Sequence, residues 1–198
     1  MGWATRPLTN PDYDSNYNAI ELLTSTPVSN IWTNFLLTFA GVTGANNDIA
    51  NVITPLPVES VGDKVGFELL NPFLRLGQGP FYIRVKAVDA PSDTLSIVTL
   101  VGHPLRGRRY WRVFSIGPND IVVETGAIDV PGPGTKNYIG YYLGRYSQIK
   151  IWQEDLEYIQ RTLGATRSAL HGYNFVQGKW HYNKDYIWNK ICVASACN

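Results

Sequence analysis

Four polar side chains near the middle of this chain have the types and spacing to act on a bound molecule: His103, Tyr110, Arg112 and Glu124. His103 lies in the turn sequence Gly102-His103-Pro104-Leu105-Arg106-Gly107, at the rim of two strand-like segments. An imidazole there can act as a general base or touch a ligand, or it can simply bond the neighbouring backbone. Tyr110, Arg112 and Glu124 flank the hairpin sequence Gly117-Pro118-Asn119-Asp120. Pairing Ile116 with Ile121 puts Tyr110, Arg112, Phe114, Ile121, Val123 and Thr125 on one face. Trp111, Val113, Val122 and Glu124 then share the other. Both faces are largely apolar, so one of Arg112 and Glu124 is expected to point inward, where a charge needs a partner or a ligand. Arg84 is a candidate partner for Glu124, which would make the pair structural. A Glu124 whose pKa is raised by burial could instead exchange a proton with a substrate. A shift of one residue in register exchanges the two faces.

Other chemistry is scarce. There is no Gly-x-Ser-x-Gly elbow and no His-Glu-x-x-His pair. Gly132-Pro133-Gly134-Thr135-Lys136 has the wrong order and spacing for a phosphate loop, and its prolines lack amide donors. His181 and Asp185 stand at helical spacing but read as surface polar residues. Cys192 and Cys197 have no metal-spaced partners; they could form a small local disulfide or stay reduced thiols, the reduced form being favoured by the absence of secretion signals. No metal and no cofactor is expected.

The elements that must position these residues are legible in outline. Residues 1–23 read as a polar lead-in with a short helix or strand near Ala19–Leu23. Thr26 and Pro27 can start a helix whose apolar stripe is Val28, Ile31, Trp32, Phe35, Leu36 and Phe39. Strand signals follow at Val65–Leu70, Phe81–Val88, Thr94–Val101, Arg108–Ile116 and Ile121–Ile128. The short turns between the last four require antiparallel neighbours, because a parallel crossover needs about a dozen residues. A long helix is predicted over Asn137–Leu163, with Ile149, Trp152, Leu156, Ile159 and Leu163 on its buried face. Glu157 and Arg161 are placed to pair on the wet side, and Gly164 to end the helix. The remaining segment, 165–198, is aromatic and basic with no clear period, and is expected to pack on the same domain.

Composition narrows the function. Of 198 residues, 44% are hydrophobic and only 17% charged, with 12 Tyr, 7 Phe and 6 Trp. A chain with so many rings fills a large core or lines a cavity with them. Net charge is +1, and the basic cluster Arg106, Arg108, Arg109 and Arg112 reads as a solvated hairpin end, so nucleic acid is not expected as a partner. No apolar run reaches the roughly 18 residues of a membrane span. The first residues lack a signal-peptide layout and no Asn-x-Ser/Thr sequon occurs, so a cytoplasmic protein without membrane association is expected. A homodimer is left open.

Gly102-His103-Pro104, Gly107, Tyr110, Trp111, Val113, Glu124, Ala127 and Pro131 resemble the pattern of the DUF1990 family: a Gly-His-Pro turn, an aromatic-x-Val strand, a hairpin, and a strand ending Ala-x-x-x-Pro. The likeness spans about Val85 to Leu163; Arg108 and Arg109 stand where that family is rich in acids. It implies a START-like, polyketide-cyclase-like (SRPBCC) α+β helix-grip fold, a curved antiparallel sheet wrapped around a long C-terminal helix. Residues 1–164 would form that domain and 165–198 an aromatic-rich extension. The superfamily implies an apolar or aromatic small molecule held between sheet and helix. Trp111, Phe73, Phe81, Trp152 and Tyr146 would line the site, and His103, Tyr110, Arg112 and Glu124 would polarise the ligand. The Phe73–Gly79 loop and the Gly102–Gly107 turn would gate it. A cofactor-free cyclase or isomerase, or an interaction module using the aromatic extension, are the alternatives.

Overall fold

Alternating apolar and polar residues between Gly77 and Pro131 form a continuous antiparallel meander. The computed structural model describes residues 14–34, 50–52, 60–70, 77–89, 94–103, 105–131, 152, 155–176 and 179–182. Its strands are β1 (Asp14–Leu23), β2 (Ala50–Val52), β3 (Lys64–Leu70), β4 (Gly77–Asp89), β5 (Thr94–Thr99), β6 (Leu105–Gly117), β7 (Asp120–Pro131), β8 (Thr166–Val176) and β9 (Lys179–Tyr182). They form one sheet in the order β2-β3-β4-β5-β6-β7-β1-β8-β9, with every described pairing antiparallel.

Two helices pack on the same face. The first, α1, covers 28–34, and the Pro27 carbonyl accepts its first helical bond, from Ile31 at 3.1 Å. The second, α2, covers 155–163, with residue 152 also helical. Residues 132–151 lie outside the described part, so the length predicted for this helix does too. Gly164 ends α2 in the left-handed region (φ 60°). Ala165 N–H reaches Gln160 C=O and Gly164 N–H reaches Arg161 C=O, both at 3.1 Å, the two bonds of a Schellman cap. Glu157 does not pair with Arg161: its carboxylate meets Arg167 of β8 at 2.8 Å.

The core lies between helices and sheet. Ile31 and Trp32 of α1 and Leu156 and Ile159 of α2 meet Ile20, Leu22, Val65, Ile83, Val85, Leu95, Ile97, Trp111, Val113, Ile121 and Val123. Each strand supplies every second residue, as a pleat requires. At Leu156, which is fully buried, the helix rests directly on the sheet.

The early chain differs from expectation. The polar lead-in is a ten-residue strand, β1, placed between β7 and β8. Its Asn16, Asn18 and Glu21 broke the apolar alternation by which strands are recognised, yet all three are buried. The segment after Gly164 likewise forms strands, with β8 running the length of β1 and β9 turning back along β8.

The β6–β7 hairpin has a different register from the one assumed. Ser115 stands opposite Ile121 and Gly117 opposite Asp120, leaving Ile116 as the extra residue of a bulge. Asn119 takes φ 58°, and the Ser115 hydroxyl donates to the Gly117 carbonyl at 2.8 Å. Arg112 therefore sits opposite Glu124, and Trp111 opposite Thr125.

Candidate functional site

That register puts two buried polar clusters on opposite faces of the β6–β7–β1 region. The first faces α2. Odd-numbered residues of β6 point that way, so Arg109 follows the same phase as Trp111 and Val113 and is buried with them. From β1 the even-numbered Asn16 and Asn18 share this face, and from β7 Thr125 and Asp129. Helix α2 contributes buried Asp155, and Trp152 stands one turn before it.

Arg109 organises this cluster. Its Nη1 donates to Thr125 Oγ1 at 2.9 Å and its Nη2 to Asn16 Oδ1 at 2.5 Å. Thr125 in turn donates to the Tyr110 carbonyl at 2.9 Å. The guanidinium carbon stands 3.7 Å from the centre of the Trp152 ring and 5.9 Å from that of Trp111. The two indoles meet edge to face, centroids 5.7 Å apart at 73°. Burial lowers the Arg109 pKa to about 9, while the carboxylates of Asp129 and Asp155 resist the fall. The group is still a cation at neutral pH. Two further donors in this region, Asn18 Nδ2 and Trp152 Nε1, are buried with no hydrogen-bond acceptor among the described residues. An unsatisfied buried donor costs roughly 1–3 kcal/mol.

The second cluster holds three of the four predicted catalytic groups, but on the face away from α2. Glu124 Oε2 accepts from the Tyr17 hydroxyl at 2.7 Å, and Oε1 lies 2.9 Å from Arg112 Nη2. The Tyr110 hydroxyl also bonds this carboxyl. Burial pushes the Glu124 pKa up; Arg112 and the two phenols pull it back. Burial likewise raises the Tyr110 pKa well above the ordinary phenol value. Tyr110 lies over Gly126, where an added Cβ would come 2.5 Å from its ring. Arg112, not Arg84, is the partner of Glu124. Both charges leave the same face, so the expectation that one of them enters the sheet–helix interior is corrected. The sheet separates them from Trp111 and Trp152.

His103 belongs to neither cluster. Its Nδ1 lies 3.0 Å from both the amide nitrogen and the carbonyl oxygen of Leu105. The neutral ring accepts from the first, and a protonated ring would donate to the second. Burial lowers its pKa to about 4. Phe81 packs on it, ring centroids 5.7 Å apart. The nine candidates are thus divided: Tyr110, Arg112 and Glu124 together, Trp111 with Trp152, and His103 with Phe81. Phe73 and Tyr146 lie outside the described residues, as do Asp185, Cys192 and Cys197. Among the described residues no three His, Cys, Asp or Glu side chains gather as a metal site.

Sequence reasoning missed Arg109, Asn16, Asn18, Thr125, Asp129 and Asp155. The signal for Arg109 was its phase, two residues before Trp111 and four before Val113; counting it with Arg106, Arg108 and Arg112 concealed that. Asn16 and Asn18 similarly precede Ile20 and Leu22 in strict alternation.

The architecture recurs in solved structures. The Zhui aromatase/cyclase from Streptomyces sp. R1128 superposes with TM-score 0.51 at 10% identity, over 75% of this chain and 94% of that one. Truncated norcoclaurine synthase from Thalictrum flavum gives TM-score 0.52 at 11% identity, over 76% of this chain and 94% of that one. At these identities the likeness is one of fold, the helix-grip arrangement of an antiparallel sheet with helices on one face. No family model and no curated protein sequence matches the chain.

Proposed function

We propose that this protein binds an aromatic or otherwise apolar small molecule between the sheet and α2, and that the Arg109 cluster recognises an oxygen acceptor on it. The observation that carries this reading is a pair of buried donors with no acceptor among the described residues, Asn18 Nδ2 and Trp152 Nε1, beside a guanidinium stacked on Trp152. A carboxylate, phenolate or carbonyl oxygen would satisfy these donors, and Trp111 and Trp152 would contact the attached ring. The DUF1990 likeness of the Gly102-His103-Pro104 turn belongs to this proposal, as does a cytoplasmic location. The fold relatives named an aromatase/cyclase and a synthase suggest a second reading, a cofactor-free cyclase. In that reading Arg109 would stabilise negative charge developing on a carbonyl oxygen. The Glu124 group would have no part in it, because it faces away.

The test is a fluorescence titration with anilinonaphthalene sulfonate, an aromatic anion, following quenching of tryptophan. Saturable binding is expected. Trp152→Phe, which keeps a ring but deletes the N–H, should weaken it several-fold, and Arg109→Met about ten-fold or more. Absence of saturable binding, or affinity unmoved in Trp152→Phe, sinks the proposal.

A further inference from the structure

The face of the sheet turned away from the helices carries a second feature, independent of the ligand reading. In β3–β6 the residues on that face include Lys64, Arg84, Lys86, Arg106 and Arg108, all exposed. Lys64 stands directly opposite Arg84, Arg84 opposite Val98, and Val98 opposite Arg108, so three cations lie in one row across four strands. Like charges placed opposite one another disfavour the sheet. Among the described residues no carboxylate pairs with Lys64, Arg84, Lys86 or Arg106. The acidic residues on these four strands are Glu68, four residues along β3 from Lys64, and Asp89, three residues along β4 from Lys86. A chain of net charge +1 has thus concentrated positive charge on half of one face.

Two exposed valines flank this patch. Val61 (63% exposed) occupies the second position of the Ser60–Asp63 turn, and Val101 (104%) that of the Leu100–His103 turn. Each turn closes with a bond from its fourth N–H to its first carbonyl, 3.2 and 3.1 Å respectively. Gly62 (φ 102°) and Gly102 (φ 90°) supply the left-handed third position, the arrangement of a type II turn, in which the valine side chain projects outward. Neither valine is part of the core.

Cations flanked by projecting apolar groups match an anionic bilayer surface, whose phosphates and carboxylates lie above hydrocarbon. Single-stranded nucleic acid fits less well because it needs bare rings for stacking. Here the Tyr82 ring is covered by Lys64 Nζ at 3.6 Å and the Phe114 ring by Arg112 at 4.3 Å. Tyr110 is turned onto Gly126. We infer that the outer face of β3–β6 is a docking surface for anionic lipid membranes, with these cations on the headgroups and Val61 and Val101 entering the interface. This departs from the expectation of no membrane association, which rested on the lack of a spanning segment and of a signal-peptide layout. No described helix is long and apolar enough to cross a membrane, and docking on a surface does not need one.

The experiment is co-flotation of the full chain with phosphatidylcholine vesicles, with and without about one-third phosphatidylserine, at low and moderate salt. Flotation with the anionic vesicles only, weakening as salt rises, is expected. Arg84→Gln combined with Arg106→Gln should lower partitioning about 25-fold, roughly five-fold per charge. Val61→Asn with Val101→Asn should lower it a few-fold. All four positions are exposed, so a melting temperature no lower than the parent's shows that these variants fold. Equal flotation with both vesicle types, no flotation, or tighter retention by oligouridylate than by anionic vesicles at matched salt overturns the inference.

Discussion

Glu124 holds its carboxyl where water does not reach, and Arg112 with two phenols makes that tenable. A buried pair of this kind adds little net stability but is costly to break, because the remaining charge is stranded. Arg112 keeps some contact with solvent, so Arg112→Met should destabilise by about 2–3 kcal/mol at neutral pH. The folded-state pKa of Glu124 is raised, so any stability tied to its bound proton is present at acid pH and lost as pH rises through that pKa. The Arg112→Met defect should accordingly shrink on acidification, and adding Glu124→Gln should recover most of it; denaturant melts at several pH values check both. His103 runs the other way. Its folded pKa, about 4, lies below the ordinary 6.5, so the unfolded chain binds the proton more readily. The stability this supports is full above pH 6.5 and lost as pH falls toward 4, about 3 kcal/mol in all. His103→Gln should flatten the stability–pH curve across that window.

Packing between elements sets the next constraint. Tyr110 of β6 crosses Gly126 of β7 so closely that a methyl group there must displace the ring. Gly126→Ala should cost about 1–3 kcal/mol. Gly117→Ala, whose added Cβ would meet Asp120 Cβ at an ordinary 3.5 Å, should cost less. Urea melts of the two variants side by side test the contrast. At this scale the sequence was most readable where turns are short: Gly117-Pro118-Asn119-Asp120 announced the hairpin, and Gly164 the end of α2. It was least readable where polar residues are buried. Asn16, Asn18 and Glu21 look like lead-in until a partner strand exists on each side. The bulge at Ile116 is a local choice of backbone that no apolar pattern encodes, since Ser115, Ile116 and Gly117 fit either register. That single residue sets Arg112 opposite Glu124, so both leave the same face of the sheet.

Across the whole molecule, charge is segregated rather than balanced. Seventeen basic and sixteen acidic residues nearly cancel, yet Lys64 and Arg84 stand opposite each other on an exposed face. Salt should relieve that repulsion, raising the melting temperature between low and moderate ionic strength. Lys64→Glu, which makes the cross-strand pair attractive, should raise the low-salt melting temperature and reduce its salt dependence. Calorimetric scans at two salt concentrations measure both.

A ribosome making this chain delivers Asp14–Leu23 long before either strand that flanks it. Tyr17 must wait for Glu124, 107 positions later, and Leu23 for Thr166 on its other side. Until then Ile20 and Leu22 have no lasting cover, so the nascent polypeptide carries an unpaired, sticky segment through most of its synthesis. Chaperones that bind extended apolar stretches should engage that segment, and release it only after the β8 residues have left the exit tunnel.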